Sequence, residues 1–259
     1  MISQPAVVFP LHDSDGVMLD QLVRITPDLK ATFSRAVVSV TPPTLSAHED
    51  RVKALAMDPF FDPVRNPPGS GVGDHFLNGF RRAAELCDLN QQLHLCNLDR
   101  LAYALQSEHR ESFLGDVAQV ALEPRPVLFR RSLKAWATHP RTYRASEARV
   151  TRAGEVLFGR SLDYAWCHLA IRAGRLAELL PGVEGIGDLT LLGVMVLELH
   201  EEVVTRDVDW LAWEDPFILG TDPAEFKAAQ EDNPADWEKR LGYAVAMVRA
   251  LLARVSENR

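Results

Sequence analysis

Cysteine is scarce in this 259-residue sequence: Cys87, Cys96 and Cys167 are its only three. They are odd in number, show no CxxC spacing and sit in apolar surroundings. That pattern excludes a zinc framework or a disulfide-stapled scaffold and predicts reduced, buried thiols in a cytoplasmic protein. Long apolar runs are missing too. No stretch approaches the roughly 18 to 20 residues a membrane span needs, and MISQPAVVF at the start has neither a basic segment nor the apolar core of a signal peptide. A soluble protein with no transmembrane segment is expected. Positive charge is also in short supply, with 28 Lys and Arg against 36 Asp and Glu and a net charge of −8. This excludes a nucleic-acid surface spread over the whole molecule, because phosphate neutralisation needs clustered cations. One local basic cluster exists, Arg130, Arg131 and Lys134 followed by Arg141 and Arg144. It either meets a phosphate or solvates a helix face. Internal repeats and low-complexity segments are absent.

What is present suits a folded core: 47% of residues are apolar and 25% charged. Ala6-Val7-Val8-Phe9 reads as a strand covered on both faces, ended by Pro10. A helix is expected from Gly16 to about Leu29, then a second strand at Ala36–Val40, completing a β-α-β unit. A helix containing Val52, Leu55 and Met57 follows. DPFFDPVRNPPGSGVGD, rich in Pro and Gly and without periodicity, reads as a long loop. Next come a helix over Asp74–Leu86, a strand over Gln92–Cys96 stopping at Asn97-Leu98-Asp99, a helix over Ser107–Val120 and a strand over Val127–Phe129. Beyond these, helices are predicted over Ser146–Phe158, Ala165–Leu180 and Leu189–Val204, and two more between Pro223 and Val255, packed back on the domain through Phe226, Trp237, Leu241, Val245, Val248 and Leu252. The fold class is α/β, a mostly parallel sheet flanked by helices with a more helical C-terminal half.

Asp13-Ser14-Asp15-Gly16 matches the DxDG letters of a haloacid-dehalogenase-type phosphatase, whose first Asp is a nucleophile at a strand end. Thr41 offers a hydroxyl and Gly187-Asp188 half of an acidic motif. Pro10, Leu11 and His12 nevertheless separate the strand from Asp13, and no lysine lies between Lys134 and Lys227.

The same stretch, VVFPLHDSDGVMLDQL, resembles the first strand and loop of GT-A-fold nucleotide-sugar glycosyltransferases. The resemblance runs in order and spacing across roughly residues 6 to 215. GSGVGDHFLNGFRRA resembles their Gly-rich loop and following helix, HLCNLD the strand ending in the DxD metal motif, and FGRSLDYAWCHLAIRAGRLAELL the acceptor-side segment. The mannosylglycerate synthase type is nearest by eye. The resemblance implies a Rossmann-like GT-A domain over residues 1–220 with a C-terminal helical extension over 221–259. It implies transfer of a sugar from a nucleotide diphosphate sugar to an unidentified acceptor. Pro10, His12, Asp13, Thr41, Gly71, Gly73, Asn78 and Asn97 are then expected at the nucleotide, since open α/β sheets bind ligands beyond the carboxyl ends of their strands. Asp99 and Asp215, the latter within Glu214-Asp215, are expected to hold a divalent cation, Mg²⁺ or Mn²⁺, and Asp163 to be the acceptor-side acid or base. Three places depart from the family: Asn97 replaces the first Asp of DxD, Val72 a usual Lys, and Glu214-Asp215 in LAWEDP stands where a later His often completes the metal site. They favour, as an alternative, a degenerate relative that binds a nucleotide sugar or a protein partner without turnover. THPRTYRASE, with His139, Arg141, Tyr143 and Arg144, is expected to lie over the active site as an acceptor or phosphate contact. The Trp136, Trp166, Trp210 and Trp213 side chains read as core or pocket wall, His94 as a core histidine, and the helical tail suggests a homo-oligomer.

Overall fold

The computed structural model describes residues 4–166 and 168–257. In chain order the first half holds β1 (Ala6–Leu11), α1 (Val17–Thr32), β2 (Ala36–Val40), α2 (Pro42–Ala56), β3 (Phe61–Arg65), α3 (Val72–Leu86) and β4 (Gln92–Cys96). The second holds α4 (Leu98–Gln106), α5 (Arg110–Val120), β5 (Val127–Arg131), α6 (Leu133–Thr138), α7 (Arg141–Phe158), β6 (His168–Arg172) and α8 (Ala173–Leu179). It closes with α9 (Thr190–Glu198), β7 (Val204–Val208), α10 (Asp215–Leu219), α11 (Pro223–Glu231) and α12 (Pro234–Glu257).

The seven strands form one sheet in the order β3-β2-β1-β4-β6-β5-β7, and β6 runs antiparallel to both of its neighbours while every other pair is parallel. Strand residues alternate between two cores because successive side chains point to opposite faces. Ala6, Val8, Val37, Leu93, Leu95, Leu128, Leu169 and Ile171 pack on one side under α3, α8, α9 and α12. Val7, Phe9, Val38, Val127 and Phe129 pack on the other under α1, α4 and α5. Both faces being covered explains the unbroken apolar strands. Among the described residues, no helix is long and apolar enough to cross a membrane. Cys87 and Cys96 are buried; Cys167 lies outside the described residues.

Five sequence expectations are corrected. β1 continues through Pro10 to Leu11, in register with β2 up to Leu11 opposite Val40, so only His12 separates the strand from Asp13. Phe61–Arg65, read as loop, is β3; it pairs with β2 alone, and an edge strand tolerates Pro63 because the missing N–H has no ladder partner to lose. A helix starts at Leu98, immediately after β4, and a separate one at Arg110, rather than a single helix from Ser107. His168–Arg172, read as helix, is the antiparallel strand β6. A five-residue buried run has no periodicity that separates strand from helix, and only its place between β4 and β5 decides it. Likewise the helix expected from Leu189 to Val204 stops at Glu198, and Val204 opens the edge strand β7.

Candidate functional site

The carboxyl ends of β1, β2 and β4 open on one edge of the sheet, as parallel neighbours must. At the end of β4, Asn97 stands at the N-cap position of α4, with no side-chain capping bond, and Asp99 lies in the first turn. The segment after β7 brings Glu214 and Asp215 to the same spot at the start of α10. Ligand-capable oxygens of Asp99, Glu214 and Asp215 all lie within 4.8 Å of one another. Arg100 forms a buried ion pair with Glu214, and Asp215 Oδ2 accepts hydrogen bonds from Trp213 Nε1 at 3.0 Å and Tyr143 Oη at 3.4 Å. Burial pushes the Asp99 carboxyl above its ordinary range; Arg100 works against this, and Asp215 adds to it. Three carboxylates thus face one guanidinium in a largely dehydrated cluster.

This cluster forms one wall of a cavity of about 360 Å³. The opposite wall is built on Arg131, the last residue of β5. Its Nη2 donates to Glu147 Oε2 at 2.5 Å and Asp163 Oδ2 at 2.9 Å, and its guanidinium lies 3.8 Å from the Trp136 ring centroid. Glu147 faces the cavity, whereas Asp163 sits behind Arg131 and also accepts the Ala165 N–H at 3.2 Å. Burial raises the Glu147 carboxyl, against the Arg131 charge and with help from Asp163. The third wall is α12: Arg240 lies 3.4 Å over the Tyr143 ring, and Tyr243, Ala244 and Met247 line the space.

Of the residues expected at the site, Asn97, Asp99 and Asp215 line this cavity. Pro10 lies within β1, paired to Ser39. His12 is exposed at the end of β1, its Nδ1 3.2 Å from Thr41 Oγ1. Asp13 is 3% exposed, and its two carboxylate oxygens accept the backbone N–H groups of Gly16 at 2.9 Å and Leu19 at 2.7 Å. Gly16, at φ 90°, supplies the left-handed backbone this turn requires. Asp13→Ala strands both donors in a buried loop and should cost about 2 to 3 kcal/mol, read as a lowered denaturation midpoint. Gly71 and Gly73 pack on a neighbouring loop: a Cβ on Gly73 would sit 2.2 Å from the Ile186 carbonyl oxygen, and the Gly73 N–H donates to Gly187 O at 3.0 Å. Asn78 Nδ2 donates to Asn66 Oδ1 at 2.7 Å, and Asn66 in turn donates to Ser39 Oγ and Val40 O at the end of β2. In THPRTYRASE, Tyr143, Ser146 and Glu147 face the cavity; His139 is buried beside Arg100, Arg141 is exposed and pairs with Glu231, and Arg144 is exposed. Sequence reasoning missed Arg100, Glu147, Arg240 and Tyr243. Only Glu147 carried a signal, lying in a segment already suspected.

No family model matches the chain, and no curated protein does. Solved structures are similar. Glucosyl-3-phosphoglycerate synthase from Mycobacterium tuberculosis, in complex with Mn²⁺, uridine diphosphate and phosphoglyceric acid, superposes with a TM-score of 0.57. That match covers 98% of this chain and 78% of that one at 12% identity. The fold is GT-A-like. A mycobacterial protein agrees at a TM-score of 0.52 and 17% identity over 93% of this chain and 75% of its own. The same synthase with phosphoglyceric acid gives 0.51 and 13% over 93% and 80%. The GT-A-like sheet accounts for the place of the cavity, at the carboxyl ends of β4 and β5 and against the segment that follows β7.

Proposed function

We propose that this protein is a glycosyltransferase that moves a sugar from a nucleotide diphosphate sugar to an acceptor. The observation that carries the reading is the carboxylate cluster of Asp99, Glu214 and Asp215 in the cavity of a GT-A-like fold. Its donor set fits a divalent cation: three hard oxygen ligands, more negative charge than Arg100 offsets, and an Asp99 carboxyl pushed up by burial. Asp99, Glu214 and Asp215 would hold Mg²⁺ or Mn²⁺, with the Asn97 amide beside them. When bound, such an ion neutralises charge on a departing diphosphate. The synthase similar in fold is described in complex with Mn²⁺ and uridine diphosphate.

The chain's own residues divide the remaining work. His12 and Thr41, joined at the ends of β1 and β2, are proposed to meet the nucleotide, while Gly71 and Gly73, packed on Ile186 and Gly187, and Asn78, bonded to Asn66, support that edge rather than touch the ligand. Arg131, held by Asp163, sets the position of Glu147 at the cavity wall; Asp163 then acts on the acceptor side through Arg131 rather than by touching it. Tyr143 and Arg240 are proposed to hold the acceptor so that its hydroxyl meets the anomeric carbon in attacking geometry. With both oxygens of Asp13 engaged by backbone N–H groups, nothing supports that residue as a phosphatase nucleophile.

Calorimetric titration with UDP- and GDP-sugars, with and without Mn²⁺, tests this. Binding strengthened by Mn²⁺, followed by sugar release or transfer, is expected. No binding of any nucleotide sugar would refute the proposal. A second reading, binding without turnover, is favoured by Asn97 and by the Arg100–Glu214 pair that engages one of the three carboxylates. Metal-independent binding with no product would select it.

A further inference from the structure

The charge balance of the cavity limits what can enter it beside a nucleotide sugar. Asp99, Glu147, Asp188, Glu214 and Asp215 line the space, against Arg100, Arg131 and Arg240. Each guanidinium already faces an acid: Arg100 pairs with Glu214, Arg131 with Glu147 and Asp163, and Arg240 with Asp236 at 3.9 Å. Asp163 and Asp236 bring the carboxylates to seven against three guanidiniums, and a divalent cation would still leave them in the majority. The donor then adds the negative charge of its own diphosphate. An anionic acceptor would have to enter this surplus and pull an arginine from a buried partner, which strands a charge away from water.

Much of the wall contributed by α7, α9 and α12 is apolar. Val150, Leu192, Ala244 and Met247 are buried and belong to the core on that side of the sheet, with Leu189 half-buried beside them. Polar groups among them are turned to backbone: Trp166 Nε1 donates to Leu192 O at 2.8 Å and Ser146 Oγ to Thr142 O at 2.7 Å. The indole ring is left as apolar wall. One donor stays available where α12 meets Tyr143, since the Arg240 Nε–H is buried and has no hydrogen-bond acceptor among the described residues. A single N–H beside an apolar wall suits one hydroxyl on an apolar body.

We infer, resting on the proposed transfer activity, that the acceptor is an uncharged alcohol with an apolar body, its hydroxyl at Arg240 and Tyr143 and its body against Val150, Leu192 and Met247. In transfer, the alcohol oxygen forms the bond to the anomeric carbon while the bond from that carbon to the diphosphate breaks, its electron pair staying on the diphosphate. The hydroxyl proton passes to the departing diphosphate, and the products are a glycoside and a nucleoside diphosphate. Phosphoglyceric acid, described in complex with the synthase similar in fold, is by the same charge balance a poor acceptor for this chain.

The test measures transfer by the full chain from UDP- and GDP-sugars with Mn²⁺ to hexanol, benzyl alcohol, glycerol, aminohexanol and phosphoglyceric acid. The value of kcat/KM should be at least about 10-fold higher for hexanol and benzyl alcohol than for glycerol or either charged compound, with the glycoside identified by mass spectrometry. Leu189→Arg, at a half-buried wall position, should raise KM for hexanol by about 10-fold, and Leu189→Met should keep it near the unmodified value. Preference for phosphoglyceric acid, glycerol or the amino alcohol, or no preference at all, overturns the inference. So does a donor that is bound and hydrolysed without transfer to hexanol. Each of those results leaves a nucleotide-sugar enzyme standing. Failure to bind any nucleotide sugar removes the proposed activity itself, and this acceptor with it.

Discussion

Between about pH 6 and 4 this protein is expected to lose its stability steeply and unfold cooperatively, by a route set by histidines rather than carboxylates. His94 and His168 lie on the neighbouring strands β4 and β6, and their Nε2 and Nδ1 atoms are 2.7 Å apart. Phe33, Phe113, Phe129 and Trp210 surround them. Burial lowers His94 to about 3. Burial, then the neighbouring His94 and Arg100, holds His168 well below the ordinary imidazole range. His139, on the other side of Arg100, is lowered to about 2 by burial and then by the Arg100 and Arg131 charges. Each is neutral in the folded protein and takes up a proton on unfolding below its ordinary value of about 6.5. Their contribution is therefore complete above pH 6.5 and falls as pH drops toward the folded values, by about 1.4 kcal/mol per pH unit per histidine. Three together remove about 4 kcal/mol per unit, enough to exhaust a typical domain's 5 to 15 kcal/mol within a few units. Urea denaturation in steps from pH 7 to 4 measures the slope. Replacing His94 and His168 together by leucine, which removes both partners of the pair, should flatten it by about two thirds. A stability that is level from pH 6.5 to 5 would show that these imidazoles are not held neutral.

Asp99→Asn should lower sugar transfer by about 100- to 1000-fold while leaving the fold intact, because it removes a carboxylate from the centre of the cluster at nearly constant shape. The loss should appear in kcat together with a weaker response to Mn²⁺. On the proposed metal-binding reading, burial raises the Asp99 carboxyl above its ordinary range, so Mn²⁺ affinity should weaken as pH falls into that raised range. Transfer by the variant at the unmodified rate, with an unchanged Mn²⁺ response, would place the chemistry elsewhere.

The two halves of the chain were not equally legible. Ala6–Phe9, Ala36–Val40 and Gln92–Cys96 are each buried on both faces of the sheet, and their mainly apolar character already marks strands. β6 and β7 escaped because five-residue runs such as HLAIR and VTRDV fit a helix face as readily as a strand until neighbours are known. α12 was legible as a helix from the spacing of Leu241, Val245, Val248 and Leu252, expected to pack on the domain, yet Ala244, Met247 and Leu251 are the residues buried there while Leu241, Val245 and Leu252 stay substantially exposed.

The site divides along the same line. Asp99 was picked out because HLCNLD resembles the strand that ends in a DxD metal motif, and Asp215 because Glu214-Asp215 stands where that resemblance expects a later metal ligand. That they meet Glu214 and Arg100 in one cluster depends on α10 folding back across the sheet edge. Asp13 shows the limit most plainly. Its letters suit a nucleophile, a nucleotide contact or a turn, and the 2.9 Å and 2.7 Å bonds from Gly16 and Leu19 commit it to holding the turn. Local pattern, by itself, determined the α/β class and the leading strands, since strand burial is a short-range property. Which carboxylates share a cavity and which arginine pairs with them were decided only in three dimensions, because each depends on side chains brought together from segments about a hundred residues apart.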